Sequence, residues 1–200
     1  AALGIKERIS QGHTSYYGSP ANRVYNIKLG SSKFDGLIIQ PGEEFSFNTN
    51  LGQVDGNTGY RKELVIKKEG TIPEYGGGIC QVSTTMYRAA LFGGLNITDR
   101  REHSYAVSYY SQIMGDGLDA TIYLGGQDLK FINDTSTPVL IHSYTDGDYE
   151  LFFDLYGTDD GRTVDLDGPV LSNYHSAGAT EYVQSSDLSP GQTKQVEKAG

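Results

Sequence analysis

The sequence predicts an α+β domain: two helices packed on a mostly antiparallel β-sheet, with a glycine-rich loop leading into the helix that carries Cys80. Three observations carry this. Gly at 26 residues and Tyr at 15, against no Trp, suit a body rich in turns and strands. Helical spacing of apolar residues is confined to two stretches in the first half. From His103 to Tyr156 the pattern alternates, as half-buried antiparallel strands do.

In chain order, Ala1 to Tyr17 is mixed and polar and reads as an edge strand or an irregular lead-in. Ser19-Pro20 starts a helix, with Ser19 as cap and Pro20 at a position that needs no amide hydrogen. Val24, Ile27, Lys28 and Ser31 follow at helical spacing, and the helix should finish near Asp35-Gly36. Leu37-Ile38-Ile39 reads as a short buried strand that turns at Pro41-Gly42, and Glu44 to Asn48 resumes as a strand. Residues 49–78 are loop-rich around the apolar stretch Glu63 to Ile66. Gly76-Gly77-Gly78 then precedes the best helical pattern, in which Ile79, Val82, Met86, Ala89 and Ala90 share a face and Gly93-Gly94 supplies the stop. Strands are expected at His103–Tyr110, Asp119–Leu124, Leu129–Asn133, Val139–Tyr144 and Tyr149–Tyr156, the last two joined by a tight turn at 146–148. Composition shifts after Gly168. The domain is therefore expected over residues 1–168, with a linker from Pro169 to Ala179 and the opening of an extended module in the remainder, within residues 169–200.

A net charge of −9 disfavours nucleic acid as a partner, because a binder needs a basic stripe to displace condensed counterions. No apolar run is long enough to span a bilayer and no signal peptide stands at the start, so the chain reads as a fragment of a longer one. Membrane contact is expected only through an anchor outside it.

Cys80 is the only cysteine, so no internal disulfide can form. A lone thiol is ordinarily an inert small hydrophobe, but here its neighbours argue otherwise. Three glycines permit positive φ and close approach of a ligand to the main chain, and successive amide hydrogens at Gly77 and Gly78 would form an oxyanion hole. Cys80 falls in the first turn of the helix, where free amide donors and the macrodipole favour thiolate. Gln81 adds a side-chain amide donor. Of four histidines, His103 is the best base, lying 23 residues on at the start of a predicted strand; Ser104 and Tyr105 stand beside it. Asp119 is the first choice to orient the imidazole, with Tyr105 second. Arg100 and Arg101 would either grip a substrate carboxylate or form a surface pair. His13, His142 and His175 lack comparable surroundings. No histidine or cysteine pair has metal-ligand spacing, so no metal and no cofactor are expected.

Five motifs together make residues 12–157 resemble the VanW-like domain of bacterial surface proteins: N-R-V-Y-N-I at 22–27, P-G-E-E-F-S-F-N at 41–48, G-G-G-I-C-Q-V-S-T-T-M-Y at 76–87, R-R-E-H-S at 100–104 and G-L-D-A-T at 117–121. The segment D-L-S-P-G-Q-T-K at 187–194 resembles the start of a five-glycine extracellular module that often follows that domain. Ser111 to Asp116 departs from the family, which tends to have a shorter connection there. The resemblance implies a role in vancomycin resistance and peptidoglycan cross-linking by an L,D-transpeptidase. Cys80 would attack the third residue of a donor stem peptide, expel D-alanine, and pass the acyl group to an acceptor amine, giving a 3–3 cross-link. It also implies peptidoglycan stem peptides as partners, a monomer, and a place on the cell-wall face of a Gram-positive envelope. Two other readings stay open: a non-catalytic peptidoglycan-binding module with Cys80 buried, and a cysteine peptidase or amidase using the same residues with water as acceptor.

Overall fold

The computed structural model describes residues 4–67, 70–104, 107, 109–110, 117–167, 182, 184, 186 and 188–193. The expected linker from Pro169 to Ala179, the loop Ser111 to Asp116, Tyr105 and His175 lie outside them.

Three antiparallel sheets and three helices make up these residues, so the domain is α+β as expected. The first sheet runs in the order β1 (Glu7–Ser15), β9 (Glu150–Gly157), β8 (Val139–Thr145), β2 (Ile38–Ile39). The polar opening segment thus does form an edge strand, pairing Ser10 with Leu155 and Thr14 with Leu151. A second sheet orders β3 (Glu44–Ser46), β7 (Lys130–Ile132) and β6 (Asn96–Asp99). The third is the hairpin of β4 (Lys62–Lys67) and β5 (Gly70–Tyr75).

Helix α1 (Ala21–Ser32) begins at Pro20, but Ser19 does not cap it; the Ser19 hydroxyl accepts from Arg23 Nη1 at 2.7 Å instead. A short helix α2 (Phe47–Leu51) was not expected. It interrupts the strand read through Asn48 because Ser46 accepts from the Thr49 amide, a local bond that competes with a ladder. The long helix α3 (Ile79–Phe92) fills the centre, with every residue from Gln81 to Ala90 buried. Its apolar side joins Phe34, Phe47, Phe131 and Phe153 in one core. Much of its polar side is bonded, with Thr85 to Thr14 at 2.8 Å and Ser83 Oγ to the Ala120 carbonyl at 2.6 Å. β1 lies so close that a Cβ on Gly12 would stand 2.2 Å from the Thr85 carbonyl oxygen. Gly12→Ala should therefore lower the denaturant midpoint by the equivalent of about 2 kcal/mol or more, measured by urea unfolding.

The two strands expected at His103–Tyr110 and Asp119–Leu124 do not form over the described residues. Their main-chain groups bond to side chains and isolated carbonyls: the His103 amide to the Asp119 carboxylate at 2.9 Å, the Ala120 amide to Thr84 Oγ1 at 3.1 Å, and the Thr121 amide to the Arg101 carbonyl at 2.8 Å. Alternating composition suggested paired strands here, but Tyr109 and Tyr110 are helical and the Tyr110 amide closes a turn onto the Val107 carbonyl at 2.8 Å.

Candidate active site

The turn Gly76–Gly78 connects β5 to α3 and is closed by a bond from the Ile79 amide to the Gly76 carbonyl at 3.0 Å. Gly78 has φ +106°, and a Cβ there would meet Arg23 Cγ at 2.9 Å, so both the backbone and the packing demand glycine. Cys80 follows as the second residue of α3. Its thiol is free and half-buried, on the wall of a cavity of about 760 Å³ that Gly78, His103, Ser104 and Thr121 also line. The sulfur lies 3.8 Å from Thr121 Oγ1 and 3.7 Å from the Ile122 carbonyl oxygen.

Irregular chain after β6 delivers the base. His103 Nδ1 is bonded to Asp119 Oδ2, which also accepts from the His103 amide at 2.9 Å. With Nδ1 so engaged, Nε2 is the nitrogen left for the sulfur, and His103 is the neighbour that does most to lower the thiol's pKa. Two arginines hold the carboxylate's segment. Arg100 Nε donates to the Asp119 carbonyl at 2.7 Å, and Nη2 donates to Gly117 and lies 3.5 Å from Asp119 Oδ1. Arg88, wholly buried on α3, donates to the carbonyls of Leu118 at 2.9 Å, His13 at 3.1 Å and Tyr110. Arg88→Met would strand three carbonyls at once. It should cost roughly 3 kcal/mol of stability by urea titration and slow Cys80 alkylation, because the Asp119 segment loses its tether.

Burial alone would push the Cys80 thiol up, but the His103 hydrogen bond and charge, helped by the Ile122 backbone and Thr121, bring it below the ordinary cysteine value. Burial would likewise lower His103; the Asp119 hydrogen bond and the Cys80 sulfur overcome it and raise the imidazole to about 9. Asp119 is held below the usual carboxylate range, chiefly by His103 against the opposing effect of burial. Both shifts favour thiolate and imidazolium, and the pair titrates as a unit. The helix N-terminus favours the same charge on sulfur. Alkylation of Cys80 by iodoacetamide should accordingly show a pH midpoint well below the ~8.5 of a free cysteine. In His103→Ala that midpoint should rise, since burial is then opposed only by the Ile122 backbone, Thr121 and the helix N-terminus. A midpoint unchanged by His103→Ala would refute the pairing.

Cys80, His103 and Asp119 thus come together, and Gly78 and Ser104 line the same cavity. Three other expected residues face elsewhere. Gln81 is fully buried and spends its amide on Thr14 Oγ1 at 3.0 Å and the Ser15 carbonyl at 2.7 Å, so it offers no donor to the cavity. Gly77 backs onto β4, where a Cβ would lie 2.8 Å from the Leu64 carbonyl oxygen, and its own carbonyl accepts from Asn26 at 3.1 Å. Arg100 is committed to the Asp119 segment, while Arg101 lines the cavity. The first-turn amides of Ile79 and Gln81 are taken by Gly76 and Gly78, which leaves the Cys80 amide as a donor without a backbone partner among the described residues. Arg23, Arg88 and Thr121 escaped the sequence reading as site residues, although Arg23 and Thr121 stand inside two of the quoted motifs.

A thiol lowered from its ordinary pKa at a helix N-terminus, an imidazole beside it and a carboxylate behind define the class: an α+β domain with a cysteine–histidine–aspartate site whose groups suit nucleophilic acyl chemistry. The chain belongs to the VanW family, whose description, VanW like protein, matches residues 22–156. It is 35% identical over 153 residues to YoaR, an uncharacterized protein of Bacillus subtilis (strain 168), covering 76% of this chain and 49% of that protein. It is 37% identical over 117 residues to the vancomycin B-type resistance protein VanW of Enterococcus faecalis (strain ATCC 700802 / V583), covering 57% of this chain and 42% of that protein. The chain thus spans less than half the length of these two relatives. No solved structure matches it.

Proposed function

We propose that the domain, residues 1–168, is a cysteine-dependent L,D-transpeptidase that forms 3–3 cross-links between peptidoglycan stem peptides on the outer face of a bacterial envelope. The observation that supports this best is the half-buried Cys80 thiol set against the His103–Asp119 pair on the wall of a large cavity. A sealed sulfur far from an imidazole would have favoured a binding module instead.

In this reading the Cys80 thiolate attacks the carbonyl carbon of the third stem residue. The Cys80 amide and the α3 N-terminus stabilise the oxyanion. The carbon–nitrogen bond breaks as imidazolium His103 gives its proton to the departing D-alanine amine. His103, now neutral, takes a proton from the acceptor amine, which attacks the thioester and returns the thiolate. Asp119 keeps the imidazole turned to the sulfur throughout. A resistance role accords with the name of the enterococcal relative, and a wall-facing location with its chemistry. Among the described residues no helix is long and apolar enough to cross a membrane.

Mass analysis of the products from disaccharide-tetrapeptide is the test. Release of D-alanine with a dimer of 3–3 linkage, and a thioester mass on Cys80 when acceptor is withheld, is the expected result. Shortened stems without dimers would make the protein a peptidase. No D-alanine release and no adduct would overturn the reading. Turnover should also fall as pH rises through about 9, when the imidazolium that protonates the leaving amine is lost. It should fall at low pH only once the depressed thiol protonates.

A further inference from the structure

Arg23 lies in the first turn of α1, one wall of the cavity that holds Cys80 and His103, and is only 8% exposed. Its polar surroundings are the Ser19 hydroxyl at 2.7 Å, the face of the Tyr109 ring at 4.2 Å, and the Tyr110 phenol. None of these cancels a full positive charge. Among the described residues Arg23 forms no ion pair, whereas Arg8, Arg100 and Arg162 all do. Arg88 and Arg100 donate to main-chain carbonyls, and Arg101 is exposed to solvent. Arg23 is therefore a buried cation that lines the cavity without an ion pair among the described residues, although Glu63, Glu74 and Glu102 line the same cavity. Such an arrangement costs stability unless a ligand completes it. It is also close to the reacting centre. Its side-chain stem touches the Gly78 turn from which Cys80 follows, and the neighbouring Tyr110 ring stands 5.2 Å from the His103 ring.

We propose that Arg23 is a specificity-determining residue that anchors a free carboxylate one residue beyond the carbonyl that Cys80 attacks. A guanidinium presents two parallel donors to a carboxylate, and from a side chain as buried as Arg23 that pairing discriminates against a neutral amide. One residue step spans about 3.8 Å, so the ligand is a peptide cut next to its C-terminus, and internal peptide bonds are poor substrates. The substrate part of this inference rests on the acyl-transfer reading; the cation's preference for a carboxylate does not.

Two pairs of probes separate the two claims. The first is tetrapeptide stem with a free C-terminus against the same stem as its C-terminal amide. Wild-type protein is expected to favour the acid in kcat/KM by about 10- to 100-fold, mostly through KM. In Arg23→Gln the preference should collapse to within about threefold of unity, and in Arg101→Gln it should stay near the wild-type value. Equal use of acid and amide by the wild type, or an unchanged preference in Arg23→Gln, overturns the proposal. The second pair is iodoacetate against iodoacetamide as alkylators of Cys80. The ratio of their rates should drop about tenfold in Arg23→Gln, and an unchanged ratio overturns the anchor even if neither stem is turned over. Absence of turnover with a falling alkylation ratio would sink the transpeptidase reading and leave the carboxylate anchor standing. Should Arg23→Gln fail to fold, Arg23→Lys keeps the charge but loses the paired donors, and its acid preference should fall to a third or less; a folded Arg23→Lys with full preference overturns the proposal.

Discussion

Cys80→Ser is expected to leave less than about one part in 10⁴ of wild-type turnover, the largest single effect at this site. The substitution changes one atom and keeps the helix, the turn and the cavity, so stability should move little. What it removes is a nucleophile primed to ionise. His103 and the α3 N-terminus hold the thiol below its ordinary pKa, so more of the attacking thiolate is present at neutral pH than in a free cysteine. A serine hydroxyl ionises many units higher, so no preformed anion attacks, and without the sulfur the imidazole also loses part of what raises it. Cross-linked dimer, measured by mass spectrometry under saturating donor, is the readout. Dimer at more than a few per cent of the wild-type rate would show that Cys80 is not the nucleophile.

Asp119→Asn is the second, expected to slow thioester formation on the order of 10³-fold. The carboxylate accepts both from the His103 ring and from the His103 amide, so it sets the ring's tautomer and the path of its backbone together. An asparagine can keep one of these bonds but presents an amide where the ring nitrogen needs an anion, and the imidazolium loses the main influence that raises it. The thiolate then weakens with its partner. The same change should alter the pH dependence of stability. With a depressed folded-state pKa, Asp119 contributes stability above the ordinary carboxylate range that is lost as pH falls through the depressed value. His103, raised, contributes stability that is full below its ordinary pKa of 6.5 and is lost as pH rises through about 9. Urea midpoints of wild type and Asp119→Asn should therefore differ most between those two limits and converge outside them. A difference independent of pH would mean that Asp119 acts through packing alone.

The helix α3 was legible because its apolar positions recur at 3.6-residue spacing and glycines bound it at both ends, and these are local facts. The strands β8 and β9 were legible for the same reason: alternation and the Asp-Gly turn at 146–147 suffice. Composition also marked His103 and Asp119 as worth pairing, although the strands meant to bring them together do not form. Their meeting depends on Arg88 and Arg100, whose partners are carbonyls 17 to 75 residues away in the chain. A main-chain carbonyl carries no residue identity, so no pattern of letters announces such a bond.

Gln81 shows the opposite failure. Its position beside the nucleophile suggested an oxyanion donor, but consecutive helical residues point about 100° apart, and that rotation turns it into β1 while Cys80 faces the cavity. The sequence by itself determined the candidate nucleophile, its glycine turn, its helix and the family, because each is written in contiguous residues. Only the tertiary structure decided which arginines are tied to main-chain carbonyls and which lines the cavity without an ion pair among the described residues. Arg88, Arg100 and Arg23 carry the same charge, and burial and partners, which are properties of the folded chain, tell them apart.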